Sequence, residues 1–548
     1  MTRTLTRSRR QRLLLAFAAT LAPAFACVAA DGPAGLLEAR FHGDRTGACV
    51  VAATIAHDAV VRARYCARSA GDPPPGDDDA FEIGSVTKTM TAYLVADLVD
   101  QGKWSLDDPI AAHLPADTVV PSQAERQILV RDLLTHRSGL PPLPVPMPRG
   151  DPADPYAALT EADLLRALAR TPLTRPIGSA SEYSNFGMMV LSLAVARAEG
   201  GDLERALRTR LFAPLHMDRA GIAWPSPATH RVVGHLPTGA STAPWTAEVN
   251  LAGVGMVHAS LDDMVRYARA ELGDAPPDIA SRMRRTQSAL APGIAMNWQL
   301  ASLDGRQFVL HEGGTGGFSS IVLLEPSQHR AVVILSDTAL TDLGGLGALA
   351  MAMIGTRTPP GAPRVAVPIP AELRAAIQGT FDVGGIELTI RDQDGHLRAQ
   401  APGQPSFELF HDSHGDLYPA VTSALLTPEP ENGRIDRFAW HQGGGIVEAR
   451  RTAGSVGDAK PANVDPRWKD WLGDYALAPQ FGLHVFQDGS RLKVRATGQA
   501  ALEATVAGPD LAEIAGVAAL LKFQRDKDGA VIGVTLVQNG HELAGKRQ

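Results

Sequence analysis

The last third of the chain repeats itself, and this repeat limits the possible folds more than any other feature. The segment GHLRAQAPGQ at residues 395–404 resembles SRLKVRATGQ at 490–499, and HQGGGIVEARR at 441–451 resembles VQNGHELAGKR at 537–547. Short alternating stretches between turn residues are typical of antiparallel strands. The repeat therefore predicts two tandem copies of one β module, and closure of each copy into a small barrel would protect its edge strands.

The part of the chain before the repeat mixes helical and strand patterns. RQFVLHEGGTGGFSSIVLLEPSQHRAVVILSDT at 306–338 predicts three antiparallel strands joined by short turns. TPPGAPRVAVPIP at 358–370 has the proline-rich composition of a linker. The predicted divisions are 1–30 for an export signal, 31–357 for the first large domain, 358–370 for the linker, and 371–455 and 456–548 for the two β-barrel copies.

The first thirty residues have the pattern of an export signal. They contain five arginines and no acidic residue, followed by the apolar stretch LLLAFAATLAPAFACVAA, which Pro23 interrupts. Small residues offer two cleavage sites, and whether cleavage follows Ala26 or Ala30 stays open. An N-terminal membrane anchor is the alternative. We expect an exported protein, periplasmic or secreted, with no membrane span after signal cleavage.

Charge and composition narrow the class of partner. The net charge is −7 at pH 7, and removal of the arginine-rich start makes it more negative, so a nucleic-acid partner is not expected. HEGG at residues 311–314 is not the zinc-binding pattern H-E-x-x-H, and no dinucleotide-binding pattern occurs. We therefore expect no metal, no cofactor, and a small molecule or short peptide as substrate. The oligomeric state stays open.

Two cysteines lie in ACVVAATIAHDAVVRARYCARS, residues 48–69, which predicts two strands joined by a turn at His57-Asp58. A two-residue turn at that point places Cys49 directly opposite Cys66. This register predicts a cross-strand disulfide, which would suit an oxidising compartment. Two free buried thiols are the alternative.

The helix predicted by FEIGSVTKTMTAYLVADLVDQG, residues 81–102, has a lysine where local rules disfavour one. Its apolar residues cover several faces, so the helix should be largely buried. Ser85 suits the helix start as a cap, but Lys88 puts a cation in the first turn, against the helix dipole. Residues three apart share a helix face, so a lysine whose pKa is lowered by burial can take the proton of Ser85 and make it a nucleophile. An ordinary helix start, with a lysine that extends to solvent, is the alternative.

Two further segments follow in a recognisable order. Tyr183-Ser184-Asn185 precedes a predicted helix, and His311-Glu312-Gly313 ends a predicted strand. The order S-x-x-K, Y-x-N, [KH]-x-G resembles that of the serine β-lactamase and penicillin-binding protein superfamily, in its class C-like branch. The flanking blocks LLTHRSGLP, EYSNFG and LAGVGMVHASLDDMVRYA are also similar to blocks of this family, and the resemblance covers residues 36–355.

The resemblance implies a fold and a set of roles. The fold is multidomain α+β: a β-lactamase/transpeptidase-like catalytic domain, with an antiparallel sheet, flanking helices and a mostly helical lobe, precedes two small lipocalin-like β-barrels. The implied catalytic residues are Ser85 as the acylated nucleophile, Lys88 as its base partner and Tyr183 as the proton relay. The implied substrate-binding residues are Asn185, His311 and Gly313, with the backbone N–H groups of Ser85 and Gly314 as the oxyanion hole.

The third motif departs from the K-T-G or K-S-G of the best-known members, whose lysine helps to hold a substrate carboxylate. An unperturbed His311 is mostly neutral at pH 7, and Glu312 would either repel a carboxylate or point to the other face of the strand. H-x-G resembles the motif of family D-aminopeptidases, which also carry two small barrels, and of some esterases. The expected function is an exported, D-aminopeptidase-like serine hydrolase that acts through an acyl-enzyme on small amides or esters.

Other functions stay open. Within the superfamily, the alternatives are an esterase and a weak β-lactamase or D,D-peptidase. From another class, the protein would be a penicillin-binding or sensing protein that is acylated without turnover. In a D-aminopeptidase-like architecture a barrel loop can reach the active site, and VAGPDLAEIAG at 506–516 would then bring Asp510 to a substrate amine. A solvated acidic loop is the alternative for Asp510.

Overall fold

The computed structural model describes most of the chain from residue 32 onward. The described ranges are 32–68, 74–123, 126–151, 153–224, 231–420, 422, 424–442, 445–452, 468–478, 481–488, 491–497, 501–514, 519–538 and 541–548. The expected export signal, residues 1–30, lies outside the described residues. Within the described ranges, no helix is both long and apolar enough to cross a bilayer.

An antiparallel sheet forms the centre of the region before the repeats. The described strands of this region are β1 (Cys49–Ala56), β2 (Ala59–Cys66), β3 (Ala80–Glu82), β4 (Gly234–His235), β5 (Ser241–Thr242), β6 (His258–Ser260), β7 (Gln299–Leu303), β8 (Arg306–Gly314), β9 (Ser319–Glu325) and β10 (Arg330–Ser336). Six of them form one sheet in the order β2-β1-β10-β9-β8-β7. Strands β8, β9 and β10 pair antiparallel, which confirms the predicted three-stranded meander.

Helices cover both faces of this sheet. The described α-helices are α1 (Pro33–Phe41), α2 (Thr87–Asp100), α3 (Val130–Leu134), α4 (Glu161–Arg170), α5 (Asn185–Ala198), α6 (Leu203–Leu207), α7 (Leu261–Leu272), α8 (Pro277–Thr286), α9 (Gly347–Met353) and α10 (Ala371–Ile377). Helices α1 and α9 pack on one face, and α7 packs on the other face, where α2 and α8 lie behind it. Because α2 and α5 are apolar on nearly all sides, they run through the core of the helical lobe.

The repeats form two closed, eight-stranded antiparallel barrels, which confirms the expected fold class. The described strands are β11 (Ala366–Val367), β12 (Gly379–Val383), β13 (Ile386–Gln393), β14 (His396–Gln400), β15 (Phe407–Asp412), β16 (Leu417–Pro419), β17 (Ala424–Glu431), β18 (Arg434–Gln442), β19 (Gly445–Arg451), β20 (Gly473–Ala478), β21 (Phe481–Asp488), β22 (Arg491–Ala496), β23 (Leu502–Gly508), β24 (Leu511–Ile514), β25 (Ala519–Arg525), β26 (Val531–Gln538) and β27 (His541–Arg547). Pairing of β15 with β16 closes the ring of β12 to β19, and β20 to β27 close the second ring.

The similar sequence segments occupy equivalent strands of the two barrels. The first pair of segments forms β14 and β22, and the second pair forms β19 and β27. An aromatic side chain from the first strand of each ring, Phe381 or Tyr475, is buried in the barrel core. The two copies therefore share one strand order and one way of filling the interior.

The predicted disulfide is confirmed. Strands β1 and β2 pair with Cys49 opposite Cys66, and a disulfide joins the two residues. His57 takes a positive φ of 51° in the turn, which allows the two-residue connection. The alternative of two free thiols is therefore wrong for this fold.

Buried ion pairs fix the first barrel to the catalytic domain. The Arg45 guanidinium lies 2.9 Å from the Asp412 carboxylate and 3.5 Å from the centre of the Tyr418 ring. Arg364, in the proline-rich segment, lies 3.1 Å from the same carboxylate and 2.6 Å from Asp416. Burial favours a higher pKa for Asp412, but the two arginines outweigh it and lower that pKa. Because a broken buried pair leaves an uncompensated charge, this segment anchors the barrel.

Candidate active site

Ser85 and Lys88 meet at the start of α2. A short 3₁₀ turn at Gly84–Val86 leads into the helix, and Lys88 lies one turn further on. Lys88 Nζ lies 2.8 Å from Ser85 Oγ and 2.6 Å from the carbonyl oxygen of Val254. A hydroxyl in contact with a basic amine can transfer its proton to that amine when it attacks a carbonyl carbon. The three-residue spacing in the sequence thus places the predicted nucleophile and its predicted base in direct contact.

Lys88 is fully buried, and its environment favours the neutral amine. Burial lowers the pKa of Lys88 well below its ordinary value. Among the described residues, no acidic side chain forms an ion pair with Lys88; its polar neighbours are the Ser85 hydroxyl and the Val254 carbonyl. A buried cation without a counterion is costly, so the amine releases its proton readily. This is the state that a general base needs.

Tyr183 stands beside the serine and lysine. Its ring centre is 4.9 Å from Lys88 Nζ, 4.5 Å from the His136 ring and 6.4 Å from the His311 ring. Burial of the phenol raises the pKa of Tyr183, and the neighbouring Ser85 hydroxyl opposes that rise. The other side of Tyr183 is open, since 42% of its surface is exposed. A substrate on the open side would therefore lie against a phenol whose hydroxyl faces Ser85.

The end of β8 touches the turn that carries Ser85. A methyl group on Gly84, whose φ is +50°, would lie 2.6 Å from the nitrogen of Gly314. A methyl group on Gly313 would lie 2.0 Å from the carbonyl oxygen of Ile83. Glycine is needed at both places because no side chain fits between the two backbones. This contact brings Gly314 to the residue before Ser85, where the predicted oxyanion hole requires it.

His311 and Glu312 point to opposite faces of β8. Burial lowers the pKa of His311 to about 3, and the Lys88 charge acts in the same direction, so the imidazole is neutral at pH 7. Glu312 lies against the start of α9, where a methyl group on Gly347 would be 2.5 Å from its carboxylate. Burial raises the pKa of Glu312, and the Gly347 N–H opposes that rise. Of the two predicted orientations, the structure shows the one in which Glu312 turns away from the pocket.

Asn185 and two aromatic residues, Tyr156 and Trp245, form one wall next to the turn after β8. The Asn185 amide donates a 3.2 Å hydrogen bond to the Tyr156 hydroxyl, and its Oδ1 is buried with no partner among the described residues. The Trp245 ring meets the Tyr156 ring edge-on at 5.4 Å. A methyl group on Gly316 would lie 2.6 Å from Trp245 Nε1, so the tryptophan packs on the turn after β8. The free amide oxygen is an acceptor that a substrate N–H group can use.

A buried carboxyl supports this wall. Glu82 lies three residues before Ser85, and one of its oxygens accepts the backbone N–H of Trp245 at 2.9 Å. Burial raises the pKa of Glu82 to about 7, and contact with Thr315 opposes that rise. Glu82 therefore links β3, which precedes the turn of Ser85, to the segment that carries Trp245.

Asp510 lies in the second barrel, with other partners. Its carboxylate pairs with Arg525 at 2.8 Å and accepts a 3.2 Å hydrogen bond from Trp471 Nε1. These contacts, and the backbone bond from Phe523, all lie within the second barrel. The structure therefore brings together Ser85, Lys88, Tyr183, Asn185, His311, Gly313 and Gly314, and it does not join Asp510 to them. Its role as an amine site stays a prediction, and the arginine already balances its charge.

Sequence reasoning missed several residues that complete the site. His136 and Val254 lie in the blocks LLTHRSGLP and LAGVGMVHASLDDMVRYA, which matched the family pattern but received no role. Tyr156 and Trp245 lie in loops without a recognisable pattern, so no sequence signal indicated them. Within the part of the chain that the structure describes, no group of three or more His, Cys, Asp or Glu side chains could hold a metal ion.

Comparison with known proteins agrees with this geometry. A family model described as Beta-lactamase matches residues 37–352. The chain belongs to the β-lactamase family. Within the family's superfamily, Penicillin-binding protein 4 of Amycolatopsis lactamdurans is 30% identical over 338 residues, which are 56% of this chain and 86% of that protein. The D-alanyl-D-alanine-carboxypeptidase/endopeptidase AmpH of Escherichia coli (strain K12) is 27% identical over 301 residues, 50% of this chain and 77% of that protein.

Solved structures are similar as well. A β-lactamase/D-alanine carboxypeptidase from Yersinia pestis aligns with a TM-score of 0.49 and 22% identity, over 56% of this chain and 92% of that chain. The family match and the curated relatives place this protein among the serine hydrolases of the β-lactamase and penicillin-binding protein superfamily. The expected superfamily and enzyme class are confirmed.

Proposed function

We propose that this serine hydrolase acts through an acyl-enzyme on Ser85, on small amides or esters that have no carboxylate beside the scissile bond. The observation that carries the mechanism is the 2.8 Å contact between Ser85 Oγ and a buried Lys88 that has no counterion among the described residues. The neutral His311 supports the substrate class, because this position offers no fixed positive charge to a carboxylate.

The proposed reaction has two halves. In the first, Ser85 Oγ attacks the substrate carbonyl while its proton passes to Lys88, and the negative carbonyl oxygen accepts the N–H groups of Ser85 and Gly314. The bond to the leaving amine or alcohol then breaks, and the proton held by Lys88 reaches that product through Tyr183. In the second half, water gives a proton to Lys88 and attacks the ester carbonyl, the bond between Ser85 Oγ and the acyl carbon breaks, the proton returns to Ser85 Oγ, and the acid leaves. Asn185 binds the substrate amide through its free oxygen.

D-amino-acid amides are the first candidates, and simple esters are the second. AmpH carries the name of a carboxypeptidase and endopeptidase, and an endopeptidase bond has no adjacent terminal carboxylate. D-Alanine p-nitroanilide fits the same description, since its leaving group is an uncharged aromatic amine. The Arg525 contact of Asp510 gives no support to an amine site on that residue.

Substrate choice is tested with three chromogenic compounds and the purified protein. D-Alanine p-nitroanilide, its L-isomer and p-nitrophenyl acetate are assayed beside the Ser85→Ala variant. We expect Ser85-dependent release from the D-anilide that exceeds release from the L-isomer. Release from the acetate alone would replace the D-aminopeptidase proposal by an esterase. Stable labelling of Ser85 by a fluorophosphonate, with no turnover of any compound, would favour an acylated sensor.

The neutral third motif predicts the effect of restoring a cation. We expect His311→Lys to raise kcat/KM for the carboxylate-bearing β-lactam nitrocefin by about 10-fold, the effect of one new charge-assisted contact. Hydrolysis of p-nitrophenyl acetate, which has no carboxylate, should not rise. His396→Lys, at an exposed position of the first barrel, is the matched control and should change neither rate. An equal gain for both substrates would contradict the proposed role of His311.

We also infer that the protein is exported. The arginine-rich, apolar first thirty residues and the Cys49–Cys66 disulfide both suit an oxidising compartment outside the cytoplasm. Cell fractionation followed by N-terminal sequencing tests this inference, and recovery of the uncleaved chain in the cytoplasm would contradict it.

A further inference from the structure

His136 holds the backbone on both sides of Tyr183. It lies after α3, is 5% exposed, and takes a positive φ of 55°. Its carbonyl oxygen accepts the N–H of Glu182 at 2.8 Å, and its Nδ1 accepts the N–H of Ser184 at 3.2 Å. The two hydrogen bonds enclose Tyr183, whose own N–H and C=O lie between them in the chain. One residue thus binds the chain immediately before and immediately after the phenol.

The hydrogen bonds also define the state of the ring. Because a backbone N–H is always the donor, Nδ1 must be unprotonated and the ring proton must be on Nε2. Burial lowers the pKa of His136 to about 3, and a proton on Lys88 or on His311 would act in the same direction. The ring is therefore neutral, and it packs at 4.5 Å against Tyr183 with a tilt of 37°.

The backbone of Tyr183 lies between the two hydrogen bonds of His136 and next to the residue that caps α5. The segment before α5 forms no regular secondary structure, and one side of the Tyr183 ring is exposed to solvent. The Ser184 side chain is already used, since it caps α5 by accepting the N–H of Gly187 at 2.9 Å. The cap holds the chain after the phenol, and the Glu182 bond to His136 holds the chain before it.

We propose that His136 is a positioning residue, which keeps the Tyr183 hydroxyl at Ser85 through its two hydrogen bonds and its ring contact. The proposal rests on the role of Tyr183 in the proposed function. A displacement of the order of 1 Å in a group that transfers protons can cost about 100-fold in rate. His136 thus acts on the reaction through Tyr183.

Two substitutions separate the hydrogen bond from backbone strain. In His136→Asn the amide oxygen occupies nearly the place of Nδ1, and asparagine tolerates a positive φ. In His136→Gly the positive φ is also tolerated, but no acceptor is present. Both variants lose the ring, so their difference reports the bond to Ser184. The readouts are kcat and KM for p-nitrophenyl acetate and the rate of Ser85 labelling by a fluorophosphonate, which needs no turnover.

We expect His136→Gly to lower both the kcat and the labelling rate by about 10- to 100-fold, with KM changed by less than about 3-fold. His136→Asn should recover most of that loss. In a Tyr183→Phe background, His136→Gly should have almost no further effect, because the group that it positions is gone. A purely structural role would instead multiply the two losses.

Each other result overturns the proposal. If His136→Asn is as slow as His136→Gly while circular dichroism and the melting temperature match the wild type, the acceptor does not matter. If the losses of the double variant multiply, His136 does not act through Tyr183. If Tyr183→Phe leaves both rates unchanged, the proposed role of Tyr183 is wrong, and the positioning role of His136 is wrong with it. A slow Tyr183→Phe with a fast His136→Gly removes the positioning role alone.

Discussion

Replacement of Ser85 by alanine is expected to lower kcat by about 10⁴-fold or more, the effect usually seen when a covalent nucleophile is lost. The change removes one oxygen at the start of α2 and leaves the contact of Lys88 with Val254 in place. The fold should therefore persist. The measurement is release of p-nitrophenol from p-nitrophenyl acetate, together with the mass gained by the intact protein on exposure to a fluorophosphonate.

A matched control separates loss of the nucleophile from a general effect of losing a serine. Ser302→Ala changes an exposed serine on β7 and should leave both rates and labelling at the wild-type level. Ser85→Ala should show neither turnover nor mass gain. Full activity in Ser85→Ala would end the acyl-enzyme mechanism, and a mass gain on another residue would point to a different nucleophile.

Replacement of Lys88 by methionine is expected to lower kcat by about 10³- to 10⁴-fold, since it removes the general base and keeps the length of the side chain. The wild type needs the neutral amine of Lys88. Its activity should therefore rise as the pH rises through the lowered pKa of Lys88, because the amine loses its proton there. The remaining activity of Lys88→Met should lack this dependence. The measurement is kcat/KM for p-nitrophenyl acetate against pH.

The lowered pKa of Lys88 should also make the folding stability of the wild type depend on pH. At a pH between the lowered pKa of folded Lys88 and the ordinary value near 10.4, the unfolded chain holds one more proton than the folded chain. Lys88 therefore lowers the free energy of unfolding in this range, and this loss of stability becomes smaller as the pH rises. Methionine removes this penalty but leaves the Val254 carbonyl without a donor, a cost of about 1–3 kcal/mol. The stability of Lys88→Met relative to wild type should therefore fall with rising pH in urea titrations.

Lys103→Met is the control for both measurements. Lys103 is exposed in the turn after the same helix. It should change neither the pH profile nor the pH dependence of unfolding. An unaltered profile in Lys88→Met would show that another group accepts the Ser85 proton.

The order of the three motifs was enough to predict the catalytic domain, because each motif combines a reactive side chain with the start of a helix or the end of a strand. Ser85 and Lys88 lie on one helical turn, so their contact follows from local geometry. The register of Cys49 and Cys66 likewise follows from a two-residue turn. The barrels followed from the repeat, since two similar segments must adopt similar strands.

Contacts between distant segments could not be predicted in this way. Asp510 shows the limit, since its position in a loop said nothing about Arg525, fifteen residues later, which holds its carboxylate. Glu312 shows a second limit. Strand alternation allowed its side chain to lie on either face of β8, and only the packing of α9 showed which face it occupies. Composition indicated a linker at 358–370 but gave no sign that Arg364 within it is buried between two aspartates.

The sequence by itself determined the family, the order of the elements, and the contact between Ser85 and Lys88, because these depend on residues close together in the chain. Only the tertiary structure decided the neutral state of His311, the hydrogen bonds of His136 on both sides of Tyr183, and the contact of Tyr156 with Trp245. Those properties depend on burial and on hydrogen bonds between segments far apart in sequence. Burial sets the pKa of each group, and burial exists only after the chain has folded.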